Sequence, residues 1–245
     1  MQIYYQTDVG LIRRNNQDYC VCEKISDELA WAIVCDGMGG ANGGNVASKE
    51  ACIEIDRILK EELNEKTDPE ELRELMEEAV LSANSKVYEM SCETISLSGM
   101  GTTVELVVVR NDTLHIVHAG DSRVYKISAD DIIDQVTTDH SLVQQLVELG
   151  QITPEEARYH PSKNFITRAL GVEPELEIDY ITVPFDHGDM ILICTDGLSN
   201  YFNADELIAA VRSFKNKDEV AQGLVDIAKD CGGSDNITVA ILINE

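Results

Sequence analysis

Two apolar segments of this chain each lead into an Asp-Gly dipeptide. The run at residues 31–35 leads into Asp36 and a glycine, and the run at residues 190–194 leads, after one threonine, into Asp196 and a glycine. Short apolar runs rich in β-formers predict buried strands. Each aspartate is therefore expected where a strand ends. An isolated Asp-Gly more often marks a hairpin turn, so a functional interpretation needs support from the rest of the chain.

Three further aspartates are expected at strand boundaries. Asp18 comes just before a predicted strand, Asp121 follows a glycine between two predicted strands, and Asp235 follows a Gly-Gly-Ser turn before the last strand. In a layered sheet protein such strand ends gather along one edge, so we expect these carboxylates to lie together. Clustered carboxylates repel one another strongly unless cations occupy the space between them.

An all-oxygen site of this kind favours Mg²⁺ or Mn²⁺ over zinc. Shared carboxylates would suit a pair of ions about 3.5–4 Å apart, between which a bridging water ionises near neutral pH. Arg13, five residues before Asp18, can fork onto phosphate oxygens. From this stretch alone a surface ion pair is the favoured interpretation of Arg13. Together with the metals, an arginine would favour attack of hydroxide on a phosphoester.

The remaining pattern predicts an α+β protein. Strands are predicted at residues 3–8, 19–24, 31–35, 103–109, 114–118, 124–127, 132–136, 180–183, 190–194 and 237–243, and helices at 44–63, 69–91, 141–149, 204–214 and 218–229, with a further helix start at 153–156. The polar stretch 159–168 is predicted either as a mobile lid or as an ordinary surface excursion. Without a linker or an internal repeat, residues 1–245 are expected to form one domain.

Composition excludes several classes of function. Asp and Glu number 45 against 19 Lys and Arg, a net charge of −26, whereas nucleic-acid and anionic-membrane binders need a basic surface. No apolar run approaches the roughly 20 residues of a membrane span, and the first residues do not resemble a signal peptide. The seven cysteines include no Cys-x-x-Cys pair, which favours reduced core thiols over zinc. We expect a soluble, cytoplasmic protein.

The segments that carry these residues occur in a recognisable order. TDVGLIRRNNQD, VCDGMGG, GTT, AGDSR, TDHS, CTDGL and GGSDNIT together resemble the metal-dependent serine/threonine protein phosphatases of the type 2C family, bacterial branch. The resemblance spans residues 7 to about 243. It implies a four-layer α-β-β-α sandwich of two antiparallel sheets flanked by antiparallel helix pairs. It also implies a metal cleft at one end and a substrate-contacting flap at about residues 150–172.

The resemblance also implies a dinuclear Mn²⁺ or Mg²⁺ centre. Asp36 would bridge both ions and Gly37 would ligate through its carbonyl. Asp196 and Asp235 would hold one ion, and Asp18 would act at the other through water.

Two further roles follow from the resemblance. Arg13 would bind the phosphoryl group. Bacterial members often carry a third, weaker metal, and Asp121 together with Asp196 would be its ligands.

The chain departs from the family pattern at two positions. Gln17 stands where a glutamate is usual, which removes one charge near the metals. Met38 stands where eukaryotic members have a histidine proposed as general acid. A metal-bound water would then have to protonate the leaving oxygen. His160 in the flap is a candidate substitute that would also contact substrate.

The implied activity is hydrolysis of phosphoserine and phosphothreonine in proteins by a metal-bridged hydroxide. The chain would act as a monomer and reverse a bacterial serine/threonine kinase, which is expected among its partners. One alternative is hydrolysis of small phosphoesters at the same site. Another is an inactive, phospho-dependent regulatory module on the same fold. Retention of the aspartates and Arg13 argues against the inactive module, because costly carboxylate clusters normally mark function.

Overall fold

The computed structural model describes the backbone of the whole chain and the side chains of residues 1–39 and 43–245. Its strands are β1 (Gln2–Asp8), β2 (Asp18–Lys24), β3 (Leu29–Met38), β4 (Gly101–Thr102), β5 (Val104–Arg110), β6 (Thr113–Ala119), β7 (Arg123–Ile127), β8 (Ile133–Gln135), β9 (Asp179–Pro184), β10 (Met190–Cys194) and β11 (Ile237–Ile243). Its helices are α1 (Gly40–Glu62), α2 (Pro69–Glu93), α3 (Leu142–Glu148), α4 (Pro154–Arg158), α5 (Asp196–Ser199), α6 (Ala204–Ser213) and α7 (Val220–Asp230).

The strands form two antiparallel sheets. The first has the order β1-β11-β10-β7-β8, and the second has the order β2-β3-β5-β6-β9 with β4 added to the end of β3. In the second sheet, the register of β2 against β3 places Asp18 directly opposite Asp36. Directly opposite residues of an antiparallel pair project from the same face, so the pairing alone brings two of the predicted site carboxylates together.

Three buried apolar clusters define four layers. Alternate residues of both sheets, such as Val34, Val107 and Ile193, pack between the sheets. The opposite face of the second sheet packs against α1 and α2, and that of the first sheet packs against α6 and α7. The α-β-β-α sandwich expected from the sequence is therefore confirmed.

The helix starts follow the local sequence signals. The Asp68 side chain accepts hydrogen bonds from the N–H groups of Glu70 and Glu71, and the Glu71 side chain accepts one from Asp68 N–H. The same reciprocal box forms at Thr153 and at Asn203. Each box satisfies amides that the first helical turn leaves without a partner.

The strand that carries Asp36 is longer than the sequence predicts. The prediction of a strand end at Asp36 is wrong, because β3 continues to Met38, where Gly37 and Met38 pair with β4. The predicted strand 103–109 is observed as β5, which begins one residue later at Val104 and ends at Arg110. Thr103 lies between β4 and β5, and its N–H donates to Asp36 O at 2.9 Å. Asp196 likewise begins the short helix α5 instead of a hairpin turn. Pairing with distant segments decides these details, and local patterns do not record it.

A buried ion pair lies between the sheets. Glu105 and His118 are both fully buried, and a Glu105 carboxylate oxygen contacts His118 Nδ1. Thr138 O lies 2.9 Å from His118 Nε2. With an acceptor at each ring nitrogen, the imidazolium form is favoured, and the nearby Glu105 carboxylate raises the pKa of His118 to about 9 against the opposing effect of burial.

No helix in the described chain is long and apolar enough to cross a bilayer.

Replacing Glu105 with Gln should lower the free energy of unfolding by about 3 kcal/mol, because it leaves His118 buried without its counter-charge. His118 has a folded pKa above its unfolded value, so its contribution is fully present below pH 6.5 and is lost as pH rises through about 9. Burial also raises the pKa of Glu105, to about 7, so the contribution of this carboxyl is lost earlier, as pH rises through about 7. Urea unfolding of wild type should show this loss, and Glu105→Gln should not. A loss at pH 7 smaller than that of an exposed control, Glu155→Gln, would contradict the role given to the pair.

Candidate metal and phosphate site

The predicted site residues meet in a cleft of about 480 Å³. Asp36, Asp121, Asp196 and Asp235 all line it, together with Arg13. The four aspartates come from β3, the turn before β7, the start of α5 and the turn before β11, and Arg13 comes from the loop before β2. Gly37 also lines the cleft, whereas Asp18 lies behind it, opposite Asp36 in the sheet.

Asp18 is buried and held by two threonines. Thr195 Oγ1 and Thr238 Oγ1 donate to Asp18 Oδ2 at 2.9 and 2.7 Å, while Oδ1 is buried without a partner. Burial is the main cause that raises the pKa of Asp18 to about 7, and the charges of Asp196 and Asp235 add to it against the lowering effect of the threonines. The donors therefore fix the orientation of this carboxylate and leave one oxygen available.

The backbone of Asp36 is fixed by the Thr102-Thr103 pair. Asp36 N–H donates to Thr103 Oγ1 at 2.9 Å, and Thr102 Oγ1 donates to Asp36 O at 2.9 Å. Thr103 Oγ1 also lies 2.9 Å from Ser122 Oγ, next to Asp121. Burial raises the pKa of Asp36, and the charges of Asp18, Asp196, Asp121 and Asp235 raise it further. Asp36 therefore lies close enough to these four carboxylates to be repelled by each of them.

Gly37 occupies a position that no other residue fits. A Cβ at Gly37 would lie 2.1 Å from Gly44 O and 2.6 Å from Gln17 O, both far inside contact distance. Gly37 N–H donates to Gln17 O at 3.1 Å. The missing side chain lets the end of β3 meet the first helix and the loop before β2, which brings backbone to the cleft wall.

Asp235 forms an ion pair with Arg13. Arg13 Nη2 lies 2.7 Å from Asp235 Oδ2, and the Arg13 side chain is half exposed. The adjacent Asn236 donates through Nδ2 to Val9 O and Asn15 O, at 2.9 and 3.0 Å. Asn236 thus anchors both ends of the loop that carries Arg13.

Asp196 and Asp121 complete the cluster. Asn200 Nδ2 donates to Asp196 Oδ2 at 3.1 Å, while Asp196 Oδ1 is buried without a partner. Burial, followed by the charge of Asp235, raises the pKa of Asp196 to about 6. Burial, followed by the charge of Asp196, raises the pKa of Asp121 to about 8.

His140 connects the Asp121 turn to the end of the predicted flap. His140 N–H donates to Gly120 O at 2.7 Å, and Gly120 N–H donates to His140 Nδ1 at 3.2 Å. Thr167 N–H donates in turn to His140 O at 2.7 Å. Asn164 and Ile166 of this flap segment line the cleft. A single residue therefore ties one wall of the cleft to the other.

His160 lies outside the lining of the cleft. It follows α4, and its Nδ1 accepts a hydrogen bond from Ser162 N–H at 3.1 Å. Met38 and Gln17, the two departures from the family pattern, both line the cleft. The sequence alone gave no role to Thr195, Thr238 or Asn236, although all three lie within the CTDGL and GGSDNIT segments.

The donors present fit hard divalent cations. The cleft offers carboxylate oxygens, and two buried oxygens lack partners, one on Asp196 in the cleft and one on Asp18 behind it. Burial raises the pKa values of Asp18, Asp36, Asp121 and Asp196, and the charges of neighbouring carboxylates raise them further. Among the described side chains, no three carboxylate, histidine or cysteine groups are already drawn around one point. The chemistry of the donors, rather than a preformed cage, carries the fit to Mg²⁺ or Mn²⁺.

Comparison with known proteins agrees with this chemistry. Residues 13–228 match the family described as protein phosphatase 2C. The chain is 36% identical over 245 residues to the serine/threonine phosphatase stp of Listeria innocua serovar 6a, covering 99% of this chain and 95% of that protein.

Solved structures give the same result. The serine/threonine phosphatase of S. agalactiae superposes with a TM-score of 0.91 at 34% identity, covering 100% of this chain and 99% of that one. The catalytic domain of the serine/threonine protein phosphatase PstP, in complex with two manganese ions, gives a TM-score of 0.85 at 32% identity, covering 98% and 96%. The chain therefore belongs to the protein phosphatase 2C family, as a metal-dependent serine/threonine protein phosphatase of the bacterial type.

Proposed function

We propose that the carboxylate cleft holds a pair of Mn²⁺ or Mg²⁺ ions. Asp36 would be shared by both ions, Gly37 would contribute its carbonyl, Asp196 and Asp235 would hold one ion, and Asp18 would act at the other through water. The observation that carries this proposal is the convergence of mutually repelling carboxylates, two of them with unpartnered buried oxygens. When bound, the ions supply the Lewis acidity that activates water near neutral pH.

Asp121, together with Asp196, is proposed to bind a third, weaker ion. Support comes from its place in the cleft lining and from the charge of Asp196, which raises its pKa after burial. The Thr103–Ser122 contact ties this position to the backbone of Asp36.

Arg13 is proposed to bind the phosphoryl group of the substrate. Its ion pair with Asp235 holds the guanidinium at the cleft while half of the side chain is exposed. A guanidinium has more donors than one carboxylate uses, and its planar fork matches two phosphate oxygens. The same side chain can therefore stay paired with Asp235 and orient a phosphate.

The proposed substrates are phosphoserine and phosphothreonine residues of proteins, including a serine/threonine kinase that the enzyme opposes. We place the enzyme in the cytoplasm as a monomer, with residues 1–245 as one domain and a flap at about residues 150–172. The roles of His160 as general acid and as a substrate contact remain predictions. An unchanged pH–rate profile in His160→Ala would exclude the acid role.

Asp36→Asn should lower the rate of Mn²⁺-dependent phosphate release from a phosphothreonine peptide by about two orders of magnitude or more. The amide removes the charge that is proposed to hold both ions. EDTA should have the same effect on wild type, and Asp226→Asn, on the exposed face of α7, should not. Turnover that survives both treatments would refute the metal mechanism. Turnover of small aryl phosphates that far exceeds that of phosphopeptides would favour the small-phosphoester alternative.

Arg13→Lys should raise KM for the phosphopeptide about tenfold or more, because one charged point replaces a two-point hydrogen-bonded fork. Arg57→Lys, on the exposed face of α1, is the matched control. Steady-state kinetics at saturating Mn²⁺ measure the effect. An unchanged KM and kcat would reduce Arg13 to the surface ion pair that the sequence alone favoured.

Thr238→Val should weaken Mn²⁺ binding about 10- to 100-fold, since a residue that orients a ligand typically has an effect of this size. Valine keeps the shape of threonine but removes the donor to Asp18 Oδ2. Isothermal titration calorimetry measures the change, with Thr182→Val on β9 as control. Equal Mn²⁺ affinity in both variants would show that Asp18 does not depend on its threonine donors.

A further inference from the structure

A second cavity adjoins the catalytic cleft. It has a volume of about 270 Å³ and shares Asp121, Asn164 and Asp196 with the cleft. The two spaces therefore lie side by side, with these three residues in the wall of each. A chain whose phosphorylated residue lies at the metals has access to the second cavity through neighbouring residues.

One side of this cavity comes from α3 and from α4, and α4 belongs to the proposed flap. Val143 and Val147 of α3 and Ala157 of α4 line it, and Phe202 faces them from the segment before α6. These apolar side chains form a surface on which the stem of a substrate side chain can pack. The volume suits one or two side chains and not a second protein domain.

The charged groups of the cavity differ in how closely each is paired with a group of opposite charge. Arg123 and Asp139 neutralise each other through two hydrogen bonds, at 2.8 and 2.7 Å. Arg158, at the end of α4, approaches Glu206 only to 4.0 Å and keeps about a third of its side chain exposed. Lys163 Nζ donates to the neutral amide oxygen of Asn200 at 3.3 Å.

Whereas the whole chain is strongly acidic, the charged side chains that line the cavity balance in number, with three cations (Arg123, Arg158, Lys163) and three carboxylates (Asp121, Asp139, Asp196). The Asp121 and Asp196 carboxylates also line it, and the ions of the proposed function would neutralise them. Arg158, which lies 4.0 Å from Glu206, and Lys163 would then leave the cavity lining with a net positive charge. Because the chain as a whole has a net charge of −26, an anionic substrate segment is repelled over the general surface and attracted here.

We propose that this second cavity is a specificity subsite for an anionic side chain of the phosphoprotein substrate, near the phosphorylated residue. Arg158 is its principal recognition residue and Lys163 assists. The anion is a carboxylate or a second phosphate, which share the chemistry that a guanidinium recognises. This inference rests on the proposed function, because it takes the first phosphate to be bound at the metals.

The test measures binding rather than turnover. Fluorescent peptides carry a non-hydrolysable phosphothreonine analogue, with a single Glu placed in turn at each position on either side of it, and Gln at that position as reference. Dissociation constants come from fluorescence anisotropy with Mn²⁺ present. We expect Glu at one position, or at two neighbouring ones, to tighten binding about three- to tenfold relative to Gln, the range for a partly exposed charged hydrogen bond.

Variants assign the effect to the cavity. The Glu-to-Gln affinity ratio should fall to one in Arg158→Gln and persist in Arg212→Gln, an arginine of α6 that does not line the cavity. Arg158→Glu should reverse the preference, so that Lys at that position binds more tightly than Glu. Phosphoserine in place of Glu distinguishes a carboxylate pocket from one that prefers a second phosphate.

The outcomes separate this inference from the function beneath it. Gln peptides that bind with no gain from Glu at any position would overturn the subsite alone. A gain that persists in both Arg158 variants would overturn it as well, by locating the recognition elsewhere. If the phosphopeptides bind no more tightly than the same peptides without phosphate, the proposed function and the subsite are both overturned.

Discussion

Electrostatic repulsion among buried carboxylates is the constraint on which this structure depends. Asp18 and Asp36 face each other across two paired strands, and Asp121, Asp196 and Asp235 approach from other segments. Such an arrangement stores unfavourable energy unless cations bind. The fold holds it through the sheet register, the threonine donors to Asp18 and the close backbone contact at Gly37.

The two-sheet architecture explains why the cluster forms at one end. Asp18 and Asp36 belong to the second sheet, whereas Asp235 and Asp196 flank β11 and β10 of the first sheet. Thr195 and Thr238, from the first sheet's strand ends, reach across to Asp18. The apolar layer between the sheets therefore does more than stabilise the fold, because it sets the spacing of carboxylates that belong to different sheets.

The local sequence predicted the strands and helices more completely than the pairing between them. Met190–Cys194 and Ile237–Ile243 have the predicted bounds, because apolar runs flanked by turn residues identify strands directly. The reciprocal cap at Asp68 was equally visible. The extension of β3 to Met38 was not, because it requires pairing with β4.

The site shows the same division. The aspartates and Arg13 could be proposed from residue type and position at predicted strand ends. Their supports could not, because Thr238 reaches Asp18 across 220 residues and Arg13 reaches Asp235 across 222. Likewise the orientation of Arg158 into a second cavity depends on how α3, α4 and the segment before α6 pack, which no local pattern records.

The most direct measurement is a calorimetric titration of metal-free wild-type protein with Mn²⁺, repeated in buffers of different ionisation enthalpy. If cations relieve carboxylate repulsion, about two or more ions should bind per chain with release of protons. The proton release should be greatest below the raised pKa values of Asp18 and Asp121, about 7 and about 8. Binding of no Mn²⁺ by folded protein, or binding without proton release at pH 6, would contradict the account.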